Sequence, residues 1–222
     1  MSYESDVLRN WYVLFHYGTP DQILKGSAFS PQQVPPQCFA FPVATVDALQ
    51  MDQTIERALD LGCAVGRSSF ELSKTAGQVI GIDYSESFIE TAQAIQTGDP
   101  YSFVRYGEAH LKEPLSVQLP GEVFPDRVNF EQGDAMDLRF DLGEFDLVHA
   151  ANLLCRLPEP LRFLERLKAL VKAGGRLVLA TPTTWMTQYT PAENIPEGET
   201  LDFLRSNSNP IFPWKTSPRF RF

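Results

Sequence analysis

The stretch RALDLGCAVGRSSFEL, residues 57 to 72, reads as an apolar strand that runs into a glycine-bearing turn and then into a helix. That order sets the unpaired N–H groups of a helix N-terminus at the end of a strand, the usual way of holding a nucleotide-type cofactor. Asp60, Gly62, Ala64 and Gly66 spell D-x-G-x-A-x-G. From Gly62 the run is G-C-A-V-G-R, which departs from the dinucleotide pattern G-x-G-x-x-G at two positions. No Gly-Lys-Ser/Thr follows, so a phosphate loop is excluded as well.

Asp60 carries the discrimination. An acid at the end of the first strand would repel a pyrophosphate, yet it suits a ligand with an ammonium group and no phosphate. S-adenosyl-L-methionine (SAM) has both properties. The next strand, QVIGIDYS, ends in Asp83, about twenty residues beyond Asp60, where a carboxylate can accept both ribose hydroxyls. Tyr84 stands beside it, ready to cover an adenine. In GDAMD, after the third strand, Asp134 is set to accept from the adenine amino group, with Ala135 offering a backbone donor. Each residue alone fits an ordinary cap or strand end. Four such signals in order along alternating strands point to SAM.

Outward from this core the pattern is strand, helix, strand. IERALDLG, QVIGIDYS, RVNFEQGDA, FDLVHAANLL and GGRLVLATP read as five strands, and RSSFELSKTA, SESFIETAQAIQTG and EPLRFLERLKALV as helices between them. Alternation of this kind demands a parallel α/β sheet with right-handed crossovers and helices on both faces. The expected strand order is 3-2-1-4-5, with the ligand crevice at the carboxyl ends of strands 1 and 4. A single domain over residues 1–222 is expected: a capping helix and loop over 1–50, a Rossmann-like core over 55–182, and an irregular segment over 183–222. A short helix is expected at VDALQM, and residues 99–127 are an insertion without a clear pattern.

Composition narrows the function classes. The chain has 222 residues, a formal net charge of -9 and three cysteines, Cys38, Cys63 and Cys155, without CxxC spacing. The charge disfavours a sequence-independent grip on nucleic acid, and the cysteines fit neither a disulfide framework nor a zinc site. The histidines are scattered, so no metal is expected. No apolar run reaches the roughly 20 residues of a membrane span, and the start lacks a basic and an apolar signal region. The expectation is a cytoplasmic protein acting on a small molecule.

The segments DLGCAVGRSSFEL, VIGIDYSESFI, NFEQGDA and FDLVHAANLLCRL resemble class I SAM-dependent methyltransferases. More narrowly, YESDVLRNWYVLFHYG, DLGCAVGRSSFEL and ATPTTWMTQYTP resemble the 4-mercaptohistidine (5-thiohistidine) N1-methyltransferase domain of ovothiol biosynthesis, over roughly residues 3 to 195. The resemblance implies that Asp60, Gly62, Cys63 and Gly66 line the methionine part of SAM, Asp83 the ribose, and Asp134 with Ala135 the adenine. It implies Asn152 facing the transferring methyl and the acceptor. A thiohistidine acceptor, or its selenium analogue, would need a cation or donors and aromatic walls. Tyr12, His16 and Tyr17 from the first helix, Arg156 after strand 4, and Trp185 and Tyr189 after strand 5 are the candidates. Each also has an ordinary reading as a core aromatic, a bonded histidine or a solvated charge.

The family pattern further implies a closing antiparallel hairpin, strands 6 and 7, after QYTP. PIFPWKTSPRFRF does not read as one, so these strands are expected to be absent or divergent. The edge of strand 5 would then invite a homodimer or another partner; by resemblance, a sulfoxide synthase is such a partner. Open alternatives are methylation of another small N- or O-nucleophile, and an inactive SAM-binding subunit.

Overall fold

The computed structural model describes residues 3–51 and 53–208. It opens with α1 (Asp6–Tyr17), whose N-cap Ser5 accepts from the Leu8 amide, and α2 (Pro20–Leu24), closed by a capping box between Thr19 and Gln22. Two short 3₁₀ turns follow in the proline-rich stretch, then α3 (Phe41–Asp47). This helix starts within the run read as loop and ends inside VDALQM, because Pro42 is tolerated in its first turn.

The core begins with β1 (Ile55–Leu61), α4 (Arg67–Leu72), β2 (Ala76–Asp83) and α5 (Glu86–Gln96). After the hairpin β3 (Tyr101–Tyr106) and β4 (Lys112–Val117) come β5 (Val128–Gln132), β6 (Phe145–Ala151), α6 (Pro160–Lys168) and β7 (Val171–Ala180). Ala58 is buried in one apolar cluster with Val13, Phe70 and Phe88, while its neighbours Leu59 and Leu61 are buried in another with Phe163 and Leu167. A strand buried on both faces is what a parallel sheet between two helical layers requires. The first face carries α1, α4, α5 and the hairpin; the second carries α6 and α7 (Thr200–Ser208).

Along the chain the sheet runs β5-β2-β1-β6-β7, all neighbours parallel, and so is not written 3-2-1-4-5. The labels shift because the unplaced insertion folds as a separate antiparallel pair, β3 with β4. The five strands read from sequence are β1, β2, β5, β6 and β7, and the winding reverses between β1 and β6. β6 and β7 are therefore present as parallel strands of the main sheet. Past β7, a 3₁₀ turn at Ala192–Asn194 and α7 occupy a stretch expected to be irregular. Leu204 of α7 is buried against the α6 side of the core, so tertiary packing holds a helix whose apolar residues are few. Residues 209–222, on which the expectation about a closing hairpin falls, lie outside the described residues.

Candidate cofactor and acceptor site

The turn between β1 and α4 is built on positive φ angles: Gly62 at 70°, Ala64 at 48° and Gly66 at 84°. Gly66 caps α4, and a side chain there would stand 2.7 Å from the Phe130 ring and 3.0 Å from Ala92, so only glycine lets helix and sheet close. Ala64 adopts the left-handed conformation despite its Cβ, and its amide donates to Asp83 Oδ2 at 2.8 Å.

Asp60 does not face a ligand, which corrects the expected ion pair with an ammonium group. It is 1% exposed, and Oδ2 accepts from the hydroxyls of Ser68 at 2.7 Å and Ser69 at 2.6 Å. Its Oδ1 lies 2.8 Å from Nδ1 of His149, which donates, since an ionised carboxylate only accepts. Burial by itself would push the Asp60 carboxyl up; His149 and the two serine hydroxyls outweigh it and hold the carboxyl below its usual range. On the other side of the ring, His149 Nε2 meets Thr45 Oγ1 of α3 at 3.0 Å. The network thus ties β1, α4, β6 and α3 behind the turn. Its partners were not singled out from sequence, where the signal was a histidine inside the apolar run FDLVHAA. Cys63 is likewise fully buried and its thiol pushed well up by burial, so the side chain is a packing group.

Asp83 contrasts with Asp60. It is half-buried, Oδ1 accepts from the Ser85 amide at 2.9 Å, and Oδ2 from Ala64. Burial pushes its carboxyl up to about 6, the two amide donors offsetting only part of the cost. Beside it opens a cavity of about 490 Å³ lined by Tyr84, Gln132, Gly133 and Asp134 with Glu4 and Glu86. Tyr84 is 71% exposed at its wall. Asp134 accepts from the Met136 amide at 2.8 Å, and the side chain of Ala135 is buried in the core. Cavity, Asp83 and glycine turn share the carboxyl edge of the sheet, next to the reversal between β1 and β6.

The acceptor candidates divide. Tyr12, Arg156 and Tyr189 come together: the Arg156 guanidinium lies 5.3 Å from the Tyr189 ring centroid, and both act on the Tyr12 hydroxyl, as does Asp83. Tyr3, which the sequence did not single out, completes the group, its ring 6.3 Å from Tyr12 and 6.4 Å from Tyr189. Asn152, with φ of 57°, follows β6 in an exposed position, its amide donating to Ala180.

His16, Tyr17 and Trp185 are placed elsewhere. Tyr17 donates its hydroxyl to the Val65 carbonyl at 2.7 Å and pins α1 to the turn. Burial drives His16 down to about 4, against the pull of Asp60; it packs against Tyr12 and Phe15, and its buried Nδ1 has no hydrogen-bond partner among the described residues. Trp185 donates to Thr200 Oγ1 at 2.9 Å and stacks edge-on with Phe203, which fastens α7 rather than walling a pocket. Among the described residues no cluster of acids, cysteines and histidines forms a metal site, and no helix is long and apolar enough to cross a membrane.

A parallel sheet whose glycine turn, strand-end acid and open cavity meet at the reversal defines the nucleotide-cofactor class of α/β proteins. A family model described as a methyltransferase domain matches residues 59–179. The chain belongs to this family and is a class I SAM-dependent methyltransferase by fold and cofactor. It is 33% identical over 123 residues to a demethylmenaquinone methyltransferase of Lactococcus lactis, covering 54% of this chain and 39% of that protein. It is 29% identical over 126 residues to a ubiquinone biosynthesis O-methyltransferase of Coxiella burnetii, covering 57% and 43%. The chain thus spans about two fifths of the length of these curated relatives. Among solved structures, the CcbJ methyltransferase of Streptomyces caelestis aligns at a TM-score of 0.48 and 16% identity, over 69% of this chain and 56% of that one.

Proposed function

We propose that this chain transfers the methyl group of SAM to a nitrogen of a small acceptor, and that the acceptor is an imidazole of the thiohistidine type or its selenium analogue. Its carrying observation is the pairing of two half-sites on one edge: a cofactor side at Asp83 and the glycine turn, and an aromatic mouth of Tyr12 and Tyr189 with Arg156. The nucleophilic lone pair attacks the methyl carbon in line, the carbon–sulfur bond breaks, and its electron pair returns to sulfur, giving S-adenosylhomocysteine (SAH). The protein's work is to align the two and exclude water.

In this reading Asp83 accepts from the ribose hydroxyls, Tyr84 and Asp134 flank the adenine, and the backbone of Gly62, Cys63 and Gly66 passes the methionine moiety. Asn152 lies toward the methyl. Burial holds the Tyr12 and Tyr3 phenols above their ordinary values, so neither takes up a proton near neutrality. A neutral imidazole nitrogen brings its own lone pair and needs no strong base, which fits such a mouth. A sulfoxide synthase supplying a sulfur-bearing acceptor is the partner this reading suggests.

A second reading, methylation of another small nucleophile, is favoured by the likeness to an enzyme named an O-methyltransferase. Calorimetry with SAM and SAH, followed by mass spectrometry after incubation with 5-thiohistidine, decides. The expected outcome is cofactor binding and a one-methyl mass gain on the acceptor. Binding with a gain only on other acceptors supports the second reading, binding with no gain on any acceptor supports an inactive subunit, and no binding overturns all three.

A further inference from the structure

Four separate segments bring polar groups to the mouth beside Asp83. The residues before α1 supply Tyr3, α1 supplies Tyr12, the turn after β6 supplies Arg156, and the stretch after β7 supplies Tyr189. Tyr3 is held at both ends of its position: its carbonyl accepts from the Ser85 hydroxyl at 3.3 Å, and its ring lies edge-on to Phe88 at 5.9 Å. Tyr12 packs on the same Phe88 ring at 4.6 Å. The Tyr3 ring stands between those of Tyr12 and Tyr189, at 6.3 Å and 6.4 Å, so the three aromatics form one cluster.

Arg156 is the unbalanced member. Its Nη1 donates to the carbonyls of Cys155 at 3.0 Å and Thr184 at 2.8 Å, and Nη2 reaches Thr184 Oγ1 at 3.4 Å. These bonds fix the guanidinium plane without neutralising it. Arg67 pairs with Glu71 and Arg105 with Glu113, whereas Arg156, like Arg57 and Arg127, bonds only to neutral groups. No carboxylate pairs with Arg156 among the described residues. A positioned, half-buried cation flanked by phenol donors is complementary to an anion, since charge-assisted bonds from a guanidinium and hydroxyls converge on one acceptor group.

The geometry points to Tyr3 and Arg156 as specificity-determining residues that select an acceptor bearing an acidic group, a carboxylate or a comparably compact anion, docked between Arg156 and the hydroxyls of Tyr3, Tyr12 and Tyr189. This deepens the proposed function and rests on the reading of that mouth as the acceptor side. Burial raises the Tyr3 and Tyr12 phenols, so these two stay protonated near neutrality and can donate. Asp83, also facing Tyr12, sets the opposite preference on the cofactor side: it repels an anion there and confines it to the Arg156 end.

The test uses the full chain saturated with SAH and titrated with benzoate or with benzamide, isosteres that differ in charge, followed through the tyrosine ring carbons by NMR and by calorimetry. Benzoate should bind at least tenfold more tightly than benzamide. Arg156→Met should abolish that preference, Arg156→Lys should keep part of it, and Tyr3→Phe, which retains the ring against Phe88, should weaken benzoate several-fold while SAH affinity holds. Equal binding of the two probes, or a benzoate preference that survives Arg156→Met, overturns the proposal. If SAH itself fails to bind, the cofactor reading falls, while the two probes titrated without SAH still decide this inference.

Discussion

Two carboxylates end neighbouring strands, Asp60 on β1 and Asp83 on β2, and they live in opposite surroundings. Asp60 is 1% exposed and bonded to three side chains, Ser68, Ser69 and His149, so its charge is spent inside the protein. Asp83 is held by two backbone amides, its neighbour Tyr84 lines a cavity, and burial pushes its carboxyl up to about 6. One is a hub that shapes the turn, and the other is a group whose charge is costly until a ligand engages it. Residue type and place at a strand end do not separate the two roles. The number of side-chain donors packed around each does.

The largest effect should come from attacking the hub. Asp60→Ala leaves His149, Ser68 and Ser69 without their shared acceptor and should lower stability by about 3–5 kcal/mol in denaturant titrations, as breaking a buried charged network does. A loss under about 1 kcal/mol would show that the network carries no weight.

Asp83→Asn probes the other half. It should weaken SAH by about 2–3 kcal/mol in calorimetry, the scale of hydrogen bonds to a charged group, with a smaller loss of stability than Asp60→Ala. Matching losses in the two variants would erase the distinction. The same contrast appears with pH. Ribose hydroxyls donate to the ionised carboxylate, so SAH should bind about tenfold more weakly at pH 5 than at pH 7, with the change centred near 6 and absent in Asp83→Asn. Stability runs the other way. The folded-state value is raised, so the native chain keeps between 3.8 and about 6 a proton that the unfolded chain has released; this contribution is present in acid and lost as pH rises through about 6.

The smallest effect concerns the turn that joins the two acids. Ala64 sits at φ 48°, a conformation that costs an alanine roughly 1 kcal/mol. Ala64→Gly should raise the melting temperature modestly, the gain reduced by glycine's greater chain entropy. A lowered melting temperature would mean that the alanine methyl contributes packing that outweighs the strain.

Much of the core was legible because its signals are local. The apolar runs that became β1, β2, β5, β6 and β7 have lengths and boundaries set by neighbours in sequence, as has the Ser85 cap of α5. The insertion at 99–127 was opaque because its hairpin packs on α1 and α2, through Asn10 with Tyr106 and Arg105 with the Gln22 carbonyl, contacts more than eighty residues apart. α7 was missed for the same reason, its place depending on Trp185 and Thr200. His16, Tyr17 and Trp185 were selected for chemistry that their types permit, but each is occupied by an internal contact that only packing creates.

The sequence by itself determined the alternation of strands and helices, the D-x-G-x-A-x-G turn and hence a cofactor edge suited to SAM. These follow from hydrophobic period, glycine freedom and the chemistry of residues a few positions apart. Only the tertiary structure decided that Asp60 turns inward while Asp83 stays available, and that Tyr3, Tyr12, Arg156 and Tyr189 meet. A side chain's burial and partners are properties of elements brought together across the whole chain, and electrostatic free energy depends on those partners more than on the residue that carries the charge.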